Sequence, residues 1–235
     1  SVTFDCGDIG QTIQVILRVH DCHGNNNSCM VEVLVEDKLA PYLATPANTS
    51  ISCDVYYADL AADLDAGNGA ILDAMFGTAT AGDNCEAIVN YSYSYSVDNC
   101  GVGSINRSWT VNDPSGNGPV SGSQSISIYH VSNWSVSFPG DLTADCVDGQ
   151  LPDFGEPTVS GDNCEMIAIS HTDTQYDVVP DACYKIVREW EAINWCTYPG
   201  EAAQTATQVI KVTDSEAPVV SVDDITVEIT EGDCD

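Results

Sequence analysis

Positive charge is nearly absent from this sequence. Six Lys and Arg stand against 36 Asp and Glu, for a net charge of −30 at neutral pH. That sign excludes nucleic acid as a partner, because phosphate binding needs the opposite field, and it excludes anionic membrane surfaces in the same way. Long apolar runs are missing too, so nothing approaches the roughly 20 residues that cross a bilayer as a helix. No signal peptide is found at Ser1. Ser1 is therefore read as something other than a native start, with a leader or longer upstream region removed or not seen. There is no CxxC pair, no glycine-rich phosphate loop, no nucleophile elbow and no Ser/His/Asp order. The chain is read as not an enzyme.

What is abundant is cysteine and aspartate. Eleven Cys point to an oxidising compartment. Most of the acid is Asp, which disfavours strands and favours loops and turns. The bland account of it is a solvated, salt-tolerant surface. The sharper one is a set of loop carboxylates that bind a hard cation.

The chain also repeats itself. Gly82-Asp83-Asn84-Cys85 returns as Gly161-Asp162-Asn163-Cys164, and the same register aligns Cys53 with Cys146, Cys100 with Cys183, and Arg107 and Trp109 with Arg188 and Trp190. Asp113 aligns with Asn194, and Asp21 to Asn25 matches Asp113 to Asn117 as a partial third copy. A period of about 80 to 93 residues is that of a small β-sandwich, so the expectation is an all-β array of tandem repeats, two complete and two partial. The boundaries read as 1–40, the C-terminal half of a repeat; 41–130 and 131–216, two complete repeats; and 217–235, the first strand of another. Linkers Asp37 to Pro41 (DKLAP) and Asp214 to Pro218 (DSEAP) mark two of the junctions.

Within this frame, Thr12 to His20 and Met30 to Glu36 read as a hairpin around an Asp/Asn/Gly-rich turn. A first strand interrupted at Pro46 resumes over Thr49 to Asp54, and Val55 to Asp73 has room for one short helix. Ile88 to Val97 alternates strictly and sets Tyr91, Tyr93 and Tyr95 on one face. Those tyrosines either pack the sandwich or form an exposed stripe for a glycan or a neighbouring subunit. His20, Cys22, His23 and Cys29 are conceivable as a zinc site, with disulfides the preferred reading in an exported chain.

The D-x-x-A-P linker, the Asp-Asn-Cys turn, the Arg-x-Trp strand and the D-x-x-G-N turn together resemble the HYR-like, immunoglobulin-like repeats of very large secreted adhesins in gliding and predatory Bacteroidota. The likeness runs over essentially the whole chain, although His130 to Val136 (HVSNWSV) lacks the linker motif. It implies a seven-stranded immunoglobulin-like sandwich, type IX secretion, and service as a cell-surface stalk or adhesive filament. The partners implied are neighbouring repeats of one long chain, a homo-oligomeric filament built by strand addition, and a surface or glycan ligand. The rival reading is a carbohydrate-binding or accessory module of a secreted enzyme.

In a sandwich of that topology, cysteines at one pole of each repeat would give Cys53–Cys100 and Cys146–Cys183, and at the other Cys164–Cys196. Cys85 lacks a partner in its own repeat, and Cys6 is a candidate to staple it across the junction. Cys22 and Cys29 are left to pair with each other or with residues outside the chain. The same topology converges Asp37, Asp83, Asn84 and Asp113 at one junction, a set suited to Ca²⁺. Asp162, Asn163 and Asn194 form the weaker set before the second repeat, with Asp214 and Glu216 at the next. The competing account is that these residues cap turns through Asx hydrogen bonds.

Overall fold

Alternation of apolar and polar side chains dictates most of the architecture. The computed structural model describes residues 1–145, 153–161, 163–177, 179–217 and 220–222. They group into two compact units, Ser1–Asn133 with Gly161–Met166, and Trp134–Ser160 with Ile167–Asp235.

The first unit opens with a single 3-10 turn, Cys6–Asp8, capped by the Asp5 side chain. A hairpin of β1 (Thr12–His20) and β2 (Asn26–Leu34) follows, with Thr12 opposite Leu34 and His20 opposite Asn26. Asp21 closes its turn by accepting from the amide and backbone N–H of Asn25 and the backbone N–H of His23. Those bonds, Asn25's side chain first, hold the Asp21 carboxyl below the usual carboxylate range. The ribbon leaves Ile16, Leu17, Val19, Met30, Val31 and Leu34 exposed.

The rest of this unit is layered. β3 (Tyr42–Ala44) pairs with β5 (Thr80–Gly82), and a four-stranded sheet runs in the order β4 (Thr49–Ser52), β8 (Val120–Tyr129), β7 (Gly103–Asn112), β6 (Ile88–Val97). β4 lies parallel to β8 while the other neighbours are antiparallel. Pro46 falls where the chain leaves one sheet for the other, a place where its missing N–H costs no ladder bond. Along β7 the period of two sends Ile105, Arg107, Trp109 and Val111 into the core and Asn106 and Ser108 to solvent.

The stretch read as room for one helix holds three: α1 (Cys53–Asp59), α2 (Ala61–Asp65) and α3 (Ala70–Phe76). Ser52 ends β4 and accepts from Val55 N–H at 3.4 Å, so the strand expected to run to Asp54 stops at an N-cap. The Ala- and Leu-rich composition has helical propensity and no period of two, which is why helix wins here. The helices bury Tyr56, Leu60, Leu64 and Leu72 against Ile105, Ile126 and Ile128 of the sheet. Six strands per repeat are found among the described residues rather than the seven implied by the resemblance.

Arg107 is the hub of this core. Its side chain is fully buried, ion-paired to Asp73 of α3, and donates to Gly77 O at 2.9 Å and Gln124 Oε1 at 2.7 Å. The guanidinium also lies 4.7 Å from the Trp109 ring centroid. Thus the one buried cation of the sheet clamps the helical insert to it. Tyr95 does the same from β6, donating its hydroxyl to Asp65 at 2.8 Å. That bond pushes the phenol up to about 12. A folded pKa above the unfolded value of about 10 means its stabilisation is complete below pH 10 and is lost as pH rises through 12. In a spectrophotometric tyrosine titration, Tyr95→Phe is expected to remove the most alkaline phenolate transition. An unchanged curve counts against the Asp65 bond.

The second unit repeats the plan. β9 (Ser135–Ser137) pairs with β11 (Thr158–Ser160), and the larger sheet runs β10 (Leu142–Asp145), β14 (Gln204–Thr213), β13 (Tyr184–Asn194), β12 (Ile167–Tyr176), with β10 parallel to β14. Ile186, Trp190, Ile210 and Val212 form its core, and Trp190 Nε1 donates to Gln208 at 3.2 Å. Arg188 grips Asp173 with two nitrogens at 2.8 and 2.9 Å. Those two bonds hold the Asp173 carboxyl below its ordinary range.

Candidate cation site

Three loops of the first unit bring carboxylates together. Asp37 follows β2, Asp83 and Asn84 follow β5, and Asp113 follows β7; one oxygen from each Asp lies within 4.8 Å of the others. Asp37 and Asp113 are 8% and 7% exposed. Like charges this close repel one another, which a bound cation would relieve.

Hydrogen bonds shape the cluster from outside. Asp37 accepts from Leu39 N–H at 3.0 Å and its carbonyl from Asn117 Nδ2 at 3.0 Å. Asp113 accepts from Ser115 N–H at 2.7 Å and from both nitrogens of Asn117. These are the Asx-turn bonds that the bland account proposes. The Ser115 N–H, first among them, holds Asp113 below the usual carboxylate range, so it stays an anion at neutral pH. Turn capping leaves one oxygen over, however, since the buried Oδ2 of Asp83 has no hydrogen-bond partner among the described residues. Lys38 pairs with Glu36 at 3.3 Å, on the exposed side.

Not every predicted ligand takes that role. Asn84 donates its amide to Asp37 at 3.2 Å, so it steadies a carboxylate instead of offering an oxygen. Asp162 lies outside the described residues, and Asn163 is exposed. Asn194 spends its side-chain oxygen on Cys196 N–H at 3.0 Å. Asp214 accepts from Glu216 N–H at 2.9 Å, and both side chains are exposed.

The turn that carries Asp83 is fastened covalently, for Cys85 is bonded to Cys6, with Cα atoms 5.5 Å apart. The second described bridge joins Cys53 to Cys164, with Cα atoms 5.9 Å apart. This corrects the expected Cys53–Cys100 and Cys164–Cys196 pairs. Gly101, beside Cys100, packs so close that a Cβ on it would sit 2.5 Å from Cys53 Cβ. Position at a pole does not say which sulfur faces which, and the Cys53 sulfur turns to the buried Cys164. Cys100 and Cys196 are disulfide-bonded as well. Cys183 carries an exposed free thiol, as do Cys22 and Cys29. The expected partner of Cys183, Cys146, lies outside the described residues, as does Cys234.

The zinc reading of the first hairpin finds no support, because no cluster of its His and Cys ligand atoms forms among the described residues. Cys29 sits three residues inside β2, about 10 Å along the strand from the turn. That exceeds the ~7 Å limit for a disulfide with Cys22. The three tyrosines lie on the inner face: Tyr93 and Tyr95 pack against the core, and Tyr91 is exposed but leans on Trp109 at 5.3 Å between centroids. A pair that the sequence did not announce is His130 with Glu165, at 3.0 Å, the glutamate side chain wholly buried. A lone His at a strand end carries no signal for it.

No family model matches the chain, and no curated protein matches it. Among solved structures it is similar to Drosophila N-cadherin EC1-4, at 12% identity and TM-score 0.28, over 88% of this chain and 58% of that one. It is also similar to Drosophila N-cadherin EC1-3, at 11% identity and TM-score 0.23, over 87% and 78%. Mouse clustered PcdhgC3 EC1-3 is matched at 11% identity and TM-score 0.28, over 86% and 77%. The chain thus spans a little over half of the first of these. The architecture rests on its own strands and registers: an all-β chain of immunoglobulin-like sandwich fold that carries disulfides.

Proposed function

We propose that this chain is a structural segment of an extracellular adhesin or surface filament of the HYR-like, immunoglobulin-like kind, in which end-to-end repeats give length, stiffness and adhesive surface. The repeat boundaries are those at 40, 130 and 216, its neighbours are further repeats of the same chain, and its export follows the type IX route. The observation that carries the reading is the Cys6–Cys85 bridge, which ties the stretch before the linker to the turn after it. A catalyst has no use for such a tie between repeats, whereas a spacer needs it to limit bending. The glycan-module reading loses its main support because Tyr93 and Tyr95 are used to hold the sheet.

We further infer that Asp37, Asp83 and Asp113 bind Ca²⁺ at the same junction, the ion supplying the positive charge that the trio lacks. Flexible oxygen-rich loops favour that ion over the smaller, stricter Mg²⁺. Ion at 100 times its dissociation constant stabilises the folded state by about 2.7 kcal/mol. For a unit of this size that raises the melting temperature by about 8 °C. Calorimetry in Ca²⁺ and in EDTA is expected to show this rise, and Asp83→Asn to abolish most of it. Equal melting in both media removes the cation site and leaves the disulfide-tied spacer to be judged on its own.

A further inference from the structure

Two of the three clustered carboxylates share one frame. Asp83 leads through the Asp-Asn-Cys turn into β6, and Asp113 leaves β7, whose last residue, Asn112, stands opposite Ile88 at the start of β6. The sheet ladder therefore sets that pair. Asp37 arrives from a different element: it follows β2, and its stretch is held to the first residues of the chain by Gly10 N–H to Val35 O at 2.9 Å and Val35 N–H to Gln11 O at 3.1 Å. Its distance from the other two is set at the junction.

The Cys6–Cys85 bridge is the covalent tie there, joining the segment that frames Asp37 to the turn that carries Asp83. Asn84 connects it to the cluster. Its amide nitrogen lies 3.2 Å from Asp37 Oδ2 and 3.4 Å from Cys85 Sγ, while its carbonyl oxygen lies 3.7 Å from the Cys6 sulfur. Cys6 is exposed and Cys85 half-buried. Both line a cleft of about 420 Å³ walled by Asp37 and Asn84, and another of about 320 Å³ walled by Asp113 and Ser115. A small thiol can thus reach the bridge from beside the carboxylates.

We propose that the Cys6–Cys85 bridge is a redox control on the Ca²⁺ site: closed, it sets Asp37 against Asp83 and Asp113; open, it leaves Asp37 to be ordered by the ion itself. The coupling rests on the Ca²⁺ reading given above. Ordering one backbone residue costs on the order of tenfold in an equilibrium constant, so opening the bridge weakens Ca²⁺ binding by about that factor. Linkage makes the effect reciprocal, and bound Ca²⁺ shifts the bridge towards the disulfide by the same factor. With a dithiol as reductant, one thiolate attacks a bridge sulfur, forms a mixed disulfide and expels the other protein thiol. The second thiolate then closes a cyclic disulfide and expels the remaining one. Two electrons and two protons pass from the dithiol to the two cysteines.

The test uses the whole chain and dithiothreitol, an uncharged dithiol whose approach the acidic clefts do not oppose. Calorimetric Ca²⁺ titration compares the oxidised chain with the double variant Cys6→Ser, Cys85→Ser. Alkylation and peptide mass mapping then read the reduced fraction of Cys6–Cys85 over a series of reduced-to-oxidised dithiothreitol ratios, in Ca²⁺ and in EDTA. Expected are a Kd about tenfold weaker in the variant and, in the unsubstituted chain, half-reduction at a ratio about tenfold higher in saturating Ca²⁺, a shift that Asp83→Asn abolishes. The mapping needs no cysteine substitution, so it decides even where the double variant fails to fold. Equal Kd values, reduction indifferent to Ca²⁺ in a chain that binds it, or an equal shift at Cys53–Cys164 would each overturn the proposal and leave the cation site in place. An oxidised chain that binds no Ca²⁺ overturns the site itself, and the coupling with it.

Discussion

Pulled from its ends in a force spectrometer, the oxidised chain is expected to release about 440 Å less length than the reduced chain between Cys6 and Cys164, at ~3.5 Å per extended residue. The two described bridges close loops of 79 and 111 residues that overlap. A load entering at Cys6 crosses to Cys85, returns along the backbone to Cys53, and crosses to Cys164. Of the 158 residues between the ends of this segment, these two bridges by themselves leave only the 32 from Cys53 to Cys85 to extend. Nested or separate loops would leave a different remainder, so the measured difference identifies the overlap. A shortfall of ~280 Å would mean that only the 79-residue loop is closed, and one of ~390 Å that only the 111-residue loop is closed. In the unfolded state each loop is also worth roughly 4 to 5 kcal/mol by chain entropy.

Replacing Arg107 by Ala is expected to cost about 3 to 4 kcal/mol in urea unfolding of the first unit, detected through Trp109 fluorescence. Its side chain is wholly buried, and its loss leaves Gln124 Oε1 and Gly77 O without their donor and strips the stacking partner from Trp109. Orphaned buried acceptors cost about 1 to 3 kcal/mol each, and the vacated volume adds to that. Arg188→Ala, at the matching position, is expected to cost about half as much. Its described hydrogen bonds go only to Asp173, whose carboxylate reaches solvent, so its removal orphans no buried acceptor of the kind that Arg107 serves. Equal losses at the two positions would refute the hub role of Arg107. A change of helical circular dichroism on Arg107→Ala alone is the accompanying sign, because Asp73 belongs to α3.

Legibility followed the range of the interaction. The tyrosine strand, the Arg-x-Trp strands and the turn residues were readable because a period of two and Asx capping are local properties of consecutive side chains. The parallel seating of β4 on β8 and of β10 on β14 was not, since Thr49 meets Ile126 and Leu142 meets Ile210 across long connections with no shared pattern. The convergence of Asp37, Asp83 and Asp113 followed from counting strands: loops that share a pole must crowd. The part played by Asn84 did not follow, because an amide presents a donor or an acceptor according to what packs beside it.

Amino-acid order alone settled the all-β class, the closing hairpins and the loops that carry acid. Folding decided the rest: three helices where alternation lapses, a buried guanidinium that fastens them, and the choice of Cys164 over Cys100 as the partner of Cys53. The division has one cause. Backbone periodicity is written in neighbouring residues, whereas pairing between distant groups depends on a few ångströms of tertiary placement that no spacing along the chain encodes.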